Sequence, residues 1–332
     1  MQVQGGTLVT IVIDTYNTGH LVERAIGSVL EQIYPAELLD VLVVDDGSTD
    51  NTEAVVQRYA RRVRYIRQSN GGQASALNTG IRNARGEIIC LLDGDDYFYP
   101  EKVMRVAEVF QRQPLVGLVH TRYDIVGIDG KVIRRGCPSV LEEGDLEGIT
   151  LLGYSSSSVT SALALRASIA RGVEIPDKAF RFSADYFLVN ILPLMARVGA
   201  VQDPLSAWVA HGANALLSNP VRSPPQLNRQ HRAAILEYAE RRLGKRFITY
   251  LGRAGMGEGI AYPAGLPPLL NTWFAECMAI ARTNVHFGLK LRAEAKLVAS
   301  LLPVSGYSAL RGSRLMARWG HPEPAEEIGA SD

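Results

Sequence analysis

The stretch Ile88-Ile89-Cys90-Leu91-Leu92-Asp93-Gly94-Asp95-Asp96 constrains this chain more than any other: an unbroken apolar run ends in three carboxylates within four positions. A short apolar run bounded by polar residues reads as a buried strand, which puts the acids at its carboxyl end, where open α/β sheets bind ligands. Three like charges there are costly without a counter-charge, and a hard divalent cation shared between carboxylates and substrate phosphates supplies one. Alone, the motif reads equally well as a solvated acidic turn; the rest of the chain favours the cation.

The same pattern occurs twice upstream. Leu8 to Ile13 and Val41 to Val44 are β-rich apolar runs that lead into Asp14-Thr15-Tyr16-Asn17 and Asp45-Asp46-Gly47-Ser48. Between them the period changes: Leu21 to Ile33 has helical spacing, and Ser48-Thr49-Asp50 offers N-cap residues to a helix ending near Ala60. Val63 to Ile66 reads as a further strand, Gln73 to Ala84 as a helix and Glu87 to Leu92 as the strand before the acids. This alternation predicts an α/β fold, doubly wound, with a mostly parallel central sheet and helices on both faces. Beyond Pro100 it predicts one more helix, a strand over Val116–Thr121, and a hairpin from Tyr123 to Arg135 centred on Asp129-Gly130.

At 332 residues and 47% hydrophobic content, the chain can bury one large α/β domain and a smaller C-terminal unit. A net charge of +1 argues against a dedicated nucleic-acid binder. The charge is uneven: residues 218–332 carry 15 Lys and Arg against 9 Asp and Glu, whereas residues 1–217 carry 20 against 25. Chemistry that needs a cation is expected in the first part, attraction to an anionic surface in the second. Cys90, Cys137 and Cys277 lack metal-ligand spacing and read as the reduced thiols of a cytoplasmic protein. No basic-flanked apolar leader is visible, and no run approaches the roughly 18 apolar residues of a span, so neither secretion nor a membrane helix is expected. The loop after the first strand lacks G-x-G-x-x-G, and no P-loop is present. A nicotinamide or flavin cofactor is therefore not expected, which leaves a nucleotide site built from acids.

Four blocks carry a family resemblance. Val12-Ile13-Asp14-Thr15-Tyr16-Asn17, Val43-Val44-Asp45-Asp46-Gly47-Ser48-Thr49-Asp50, the run from Asn70 to Gly80, and Leu92-Asp93-Gly94-Asp95-Asp96 resemble, in order and spacing, family 2 glycosyltransferases of the GT-A fold. The likeness runs more loosely through Asp185 and His211, covering about residues 7–217. It implies a catalytic domain over 1–217, with a nucleotide-sugar half at about 7–122 and an acceptor half at about 123–217. Residues 218–332 then form a helical C-terminal extension.

The resemblance also implies roles. Asp93, Gly94 and Asp95 match the DxD motif, which contacts the ribose and a Mg2+ or Mn2+ ion on the donor's diphosphate. Asp95 is the expected metal ligand, with Asp96 in reserve. Asp46 matches the acid that reads the nucleobase, flanked by Asp14, Thr15 and Tyr16; Asp14 departs from the family, where proline is common. Asn70, Gln73 and Asn78 fall where polar contacts to nucleotide or sugar are expected, although Asn78 reads equally as a helix residue bonding local backbone. Asp185 matches the general base of an inverting enzyme, and an acid in a first helical turn is also what the helix dipole favours. In Pro204 to Asn214, His211 matches a histidine that joins the metal or diphosphate.

The implied reaction is inverting, non-processive, metal-dependent transfer from a nucleoside-diphosphate sugar, a UDP-sugar being favoured, to a carbohydrate or lipid-linked acceptor. It would serve polysaccharide, glycolipid or other glycoconjugate synthesis. A sugar nucleotidyltransferase would open with a Gly-rich loop, which is missing, and a processive synthase would carry spans and Q-x-x-R-W. Binding without catalysis would not need both Asp95 and Asp185. Ser155 to Ser158 reads as an acceptor loop or a plain linker, and residues 225–245 and 268–318 as helical. Arg282, Lys290, Arg292, Lys296, Arg311, Arg314 and Arg318 among Trp273, Phe287, Leu301, Leu302, Leu315 and Trp319 fit either peripheral contact with anionic lipid at the cytoplasmic face or a packed helical cap. Pro322 to Asp332 reads as a frayed tail.

Overall fold

The computed structural model describes residues 6–139, 141–151, 158–211 and 225–245. The expected alternation is present: β1 (Val9–Thr15), α1 (Val22–Leu30), β2 (Leu39–Asp45), α2 (Thr52–Gln57), β3 (Val63–Arg67), α3 (Gln73–Asn83) and β4 (Ile88–Asp93) follow one another. Next come β5 (Tyr97–Phe98), α4 (Lys102–Arg112), β6 (Val116–Gly127), β7 (Val132–Cys137), α5 (Glu147–Leu151), β8 (Leu163–Arg166), α6 (Ala167–Ala170), α7 (Ala184–Ile191), β9 (Arg197–Ala210) and α8 (Pro225–Leu243).

The strands form one sheet in the order β3-β2-β1-β4-β8-β6-β9-β5, with β7 paired to β6. It is parallel through β3-β2-β1-β4 and becomes mixed where β8 enters antiparallel between β4 and β6. That reversal is invisible to periodicity, because a four-residue strand buried on both faces looks the same in either direction. The strand expected to end at Thr121 continues to Gly127 and turns at Asp129-Gly130 into β7, so strand and hairpin are one element.

Alternate residues of each strand feed two cores. Val12, Leu42, Ile89 and Leu91 pack with Leu77 and Ile81 of α3 and Phe187 of α7, while Ile11, Ile13, Val43 and Leu92 pack with Ile26 and Val29 of α1 and Val103 and Phe110 of α4. Both faces are therefore covered, as near-continuous apolar strands require. α8, which the sequence assigned to the extension, sends Ile235 and Ala239 into the α3–α7 core. Cys90 and Cys137 are buried free thiols. The basic and aromatic residues of 268–318, Cys277, the tail and Ser155 to Ser157 lie outside the described residues. Among the described residues no helix is long and apolar enough to cross a membrane.

Candidate active site

Register alone brings the first acids together. Asp14 and Asp93 are paired residues of the parallel β1 and β4, and Thr15 stands opposite Asp45 of β2. Two carboxyls on neighbouring strand ends repel, and each is shielded from water. Burial, then the charges of Asp93 and Asp95, raise Asp14 well above the usual carboxylate range. Burial, then Asp95 and Asp185, push Asp93 up to about 8. Asp14 Oδ1 is buried without a hydrogen-bond partner, and one oxygen of each of Asp93, Asp95 and Asp96 lies within 4.8 Å of the others. An orphaned acceptor beside clustered carboxylates fits a hard cation, which would return each acid to its charged form.

A cleft of about 340 Å³ opens over these acids. Of the residues expected to bind donor, Asp14, Thr15, Tyr16, Asp46, Asn70, Gln73, Asp93, Gly94 and Asp95 all line it, and so does Asp185. Asp46 holds its own wall: it accepts from Gln68 Nε2 at 2.8 Å and from the backbone N–H groups of Gly71 at 2.9 Å and Gly72 at 2.7 Å. Its Oδ2, bonded only to Gly72, keeps room for another donor. Gly72 is at φ +90°, and an added Cβ there would come within 2.4 Å of Arg181. A Cβ at Gly94 would come within 2.8 Å of Thr15 of β1, and the Gly94 N–H donates to Asp14 O at 2.8 Å.

Gln73 joins the two sides of the cleft. Its Nε2 donates to Asp93 Oδ1 at 2.9 Å and Thr160 Oγ1 at 3.0 Å, while its Oε1 accepts the N–H of Ala184, the first residue of α7, at 3.1 Å. Asp185 follows in that first turn, its carboxyl raised by burial to about 6. The preceding loop is braced by α8, whose His231 stacks on Phe180 with ring centroids 4.8 Å apart and meets Ser183 Oγ at 3.2 Å.

One expectation changes, and two residues gain partners. Asn78 is not in the cleft: its amide donates to Ile175 O and Asp177 Oδ1, both at 2.8 Å, and its Oδ1 accepts from Ile175 N at 2.9 Å. The alternative reading, a backbone-bonding residue, describes it, although the backbone belongs to a distant loop. Asp96 is fully buried, and both its oxygens are engaged, Oδ2 with Ser161 Oγ at 2.6 Å and Oδ1 with Val209 N at 2.8 Å. These bonds tie it to β9 and to the residue after Thr160, while one of its oxygens still lies within 4.8 Å of those of Asp93 and Asp95. His211, just past β9, places Nε2 2.9 Å from Asp95 Oδ2 and so touches the acidic loop.

Sequence reasoning missed Thr18, Val159, Thr160, Arg181, Phe182 and Trp208, all in the lining. Arg181 donates to Asn70 Oδ1 across the cleft mouth. The signal for Arg181 and Phe182 was their position just before the Asp185 block, and for Trp208 its place in an otherwise small and apolar strand. Ser161, which accepts from Asp93 N at 3.1 Å while bonding Asp96, carried no sequence signal.

The family described as glycosyl transferase family 2 matches residues 10–159. An uncharacterised glycosyltransferase of Nostoc sp. is 32% identical over 220 residues, covering 63% of this chain and 67% of the relative. The chain belongs to glycosyl transferase family 2. Another relative, an uncharacterised glycosyltransferase of Rickettsia conorii, is 36% identical over 131 residues; the match covers 39% of this chain but 21% of that protein, so the chain spans about a fifth of its length. Among solved structures, TarS of S. aureus in complex with UDP is similar at a TM-score of 0.52 and 15% identity, covering 94% of this chain and 77% of TarS. Mannosyltransferase PcManGT from Pyrobaculum calidifontis, in complex with GDP-Man and Mn2+, is similar at 0.50 and 20%, covering 95% and 84%. At such identities the likeness concerns the fold, which is GT-A.

Proposed function

We propose that this family 2 enzyme transfers a sugar, with inversion, from a nucleoside-diphosphate sugar to an acceptor hydroxyl. The observation that carries the reading is that Asp185 lines the same cleft as Asp93 and Asp95, close enough for its charge to raise Asp93. Asp14, Thr15, Tyr16, Asp46 and Asn70 form the wall for base and ribose, and Asp93, Gly94 and Asp95 the floor for diphosphate and sugar. Asp95, with His211 behind it, and Asp93 would hold Mg2+ or Mn2+, which supplies charge neutralisation to the departing diphosphate.

Asp185 takes the proton of the acceptor hydroxyl as that oxygen bonds to the anomeric carbon and the bond to the phosphate oxygen breaks. Gln73 fixes the base relative to the donor by bonding Asp93 and the start of α7. Trp208 and Phe182 give the acceptor side apolar faces for a sugar ring. That TarS and PcManGT are named with UDP, UDP-GlcNAc and GDP-Man supports a nucleotide donor, with UDP favoured here.

A panel of nucleoside diphosphates with and without Mn2+ tests the donor side. A ligand at 100 times its dissociation constant stabilises by about 2.7 kcal/mol, so one base should raise the melting temperature, and more so with metal. No response from any diphosphate would overturn the reading.

A further inference from the structure

β6 and β9 run side by side to the end of the sheet, Val126 opposite Val209 and Gly127 opposite Ala210. Asp96 Oδ1 accepts from Val209 N at 2.8 Å and His211 Nε2 lies 2.9 Å from Asp95 Oδ2, so the acidic loop stands beside this end of β6. The strand continues to Gly127. The turn at 128–131 follows directly, on the side of the sheet that carries the acids. β7 returns from this turn, pairs Arg134 with Ile125 and Val132 with Val126, and has no second strand partner among the described residues.

The hairpin carries side chains poorly suited to water. Ile128 is 58% exposed, Ile133 65%, and Val132 is exposed beside them. Among these stand Lys131, Arg134 and Arg135, all exposed. The turn's acid, Asp129, pairs with Lys131 at 3.1 Å, and Arg135 reaches the buried Asp124 at 3.4 Å. Tyr16 and Phe182, also exposed, stand at the cleft on the same edge. Of the eight exposed large apolar side chains described, five are therefore on the edge that carries the cleft, so this exposure is directional.

An open edge strand can pair with a second copy, but that would set Lys131, Arg134 and Arg135 against like charges. Apolar residues set among basic ones instead match hydrocarbon beneath anionic headgroups. We propose that the 127–137 hairpin docks the protein on an anionic lipid surface. Ile128, Val132 and Ile133 enter the headgroup layer, Lys131 and Arg134 meet its phosphates, and the cleft faces the bilayer. Docking does not depend on the transfer chemistry; taken together with the transfer reading, it favours an acceptor presented from a lipid anchor.

Flotation of the full chain with vesicles of phosphatidylglycerol and phosphatidylcholine, against phosphatidylcholine alone, tests this. Flotation is expected on the anionic vesicles only and should weaken with salt. Each basic residue at such a surface is worth about fivefold in partitioning, so Ile133→Ser with Arg134→Gln should lower binding about tenfold or more while the melting temperature holds, both side chains being exposed. Absence of flotation at low salt would overturn the proposal. So would flotation that the double substitution leaves unchanged, which would move the contact to another basic region. Neither measurement uses donor, metal or acceptor, so the result stands apart from the reaction assigned to the cleft.

Discussion

The two walls of the cleft are built by different means. On the donor side Asp14, Asp46, Asp93 and Asp95 all leave the ends of parallel strands or the residues just after them, so pairing register sets their positions. On the acceptor side Arg181, Phe182, Asp185 and Trp208 come from the approach to α7 and from β9, held by individual side chains: Gln73 at α7, His231 under the loop and Asp96 against Val209. A wall fixed by a ladder resists single changes in its geometry but concentrates charge. A wall fixed by a few polar contacts spreads its charge and can be loosened one contact at a time.

The largest effect expected from this contrast is on charge. Chelation of divalent ions should abolish transfer, with Mn2+ or Mg2+ restoring it, and Asp95→Asn should lower the rate by about 10²–10³-fold and remove the metal-dependent part of nucleotide binding. Full activity in excess chelator would break the donor-side account. A smaller effect tests the link between walls. Asp96→Ala removes the acceptor shared by Ser161 and Val209 and should slow transfer about tenfold, whereas Asp96→Asn, which keeps an oxygen for Val209 and retains partners for Ser161, should stay near the parent rate. If the two variants are equally impaired, Asp96 acts through its charge. The smallest effect is at Asn78, where Ala should cost about 1–2 kcal/mol of stability in denaturant unfolding and leave nucleotide affinity unchanged.

The same contrast explains what could be read in advance. β1, β2 and β4 were visible because each is apolar throughout and ends in acids, and the sheet's parallel order then places those ends side by side. Asp185 stood out through the resemblance of its block to the family's. Asn78 was ambiguous because an amide in the middle of a helix looks the same whether it meets a ligand or a loop nearly a hundred residues away. Asp96 looked like its neighbours Asp93 and Asp95, yet the turn after β4 points it inward to β9. Arg181, Phe182, Trp208 and Ser161 belong to the acceptor wall or its supports, where contacts are long-range and no local period announces them.

The central claim is that the donor wall holds charge while Asp185, across the cleft, handles the proton. Rate and donor affinity measured side by side on Asp185→Asn test it most directly. The substitution keeps the shape of the side chain and removes the proton acceptor, so transfer should fall by about 10²-fold or more with little change in donor affinity. In the parent protein the rate should rise with pH and level off above about 6, because the base must be ionised, and the variant should lose that rise. An unimpaired rate, or donor affinity lost together with the rate, would contradict the division of labour between the walls.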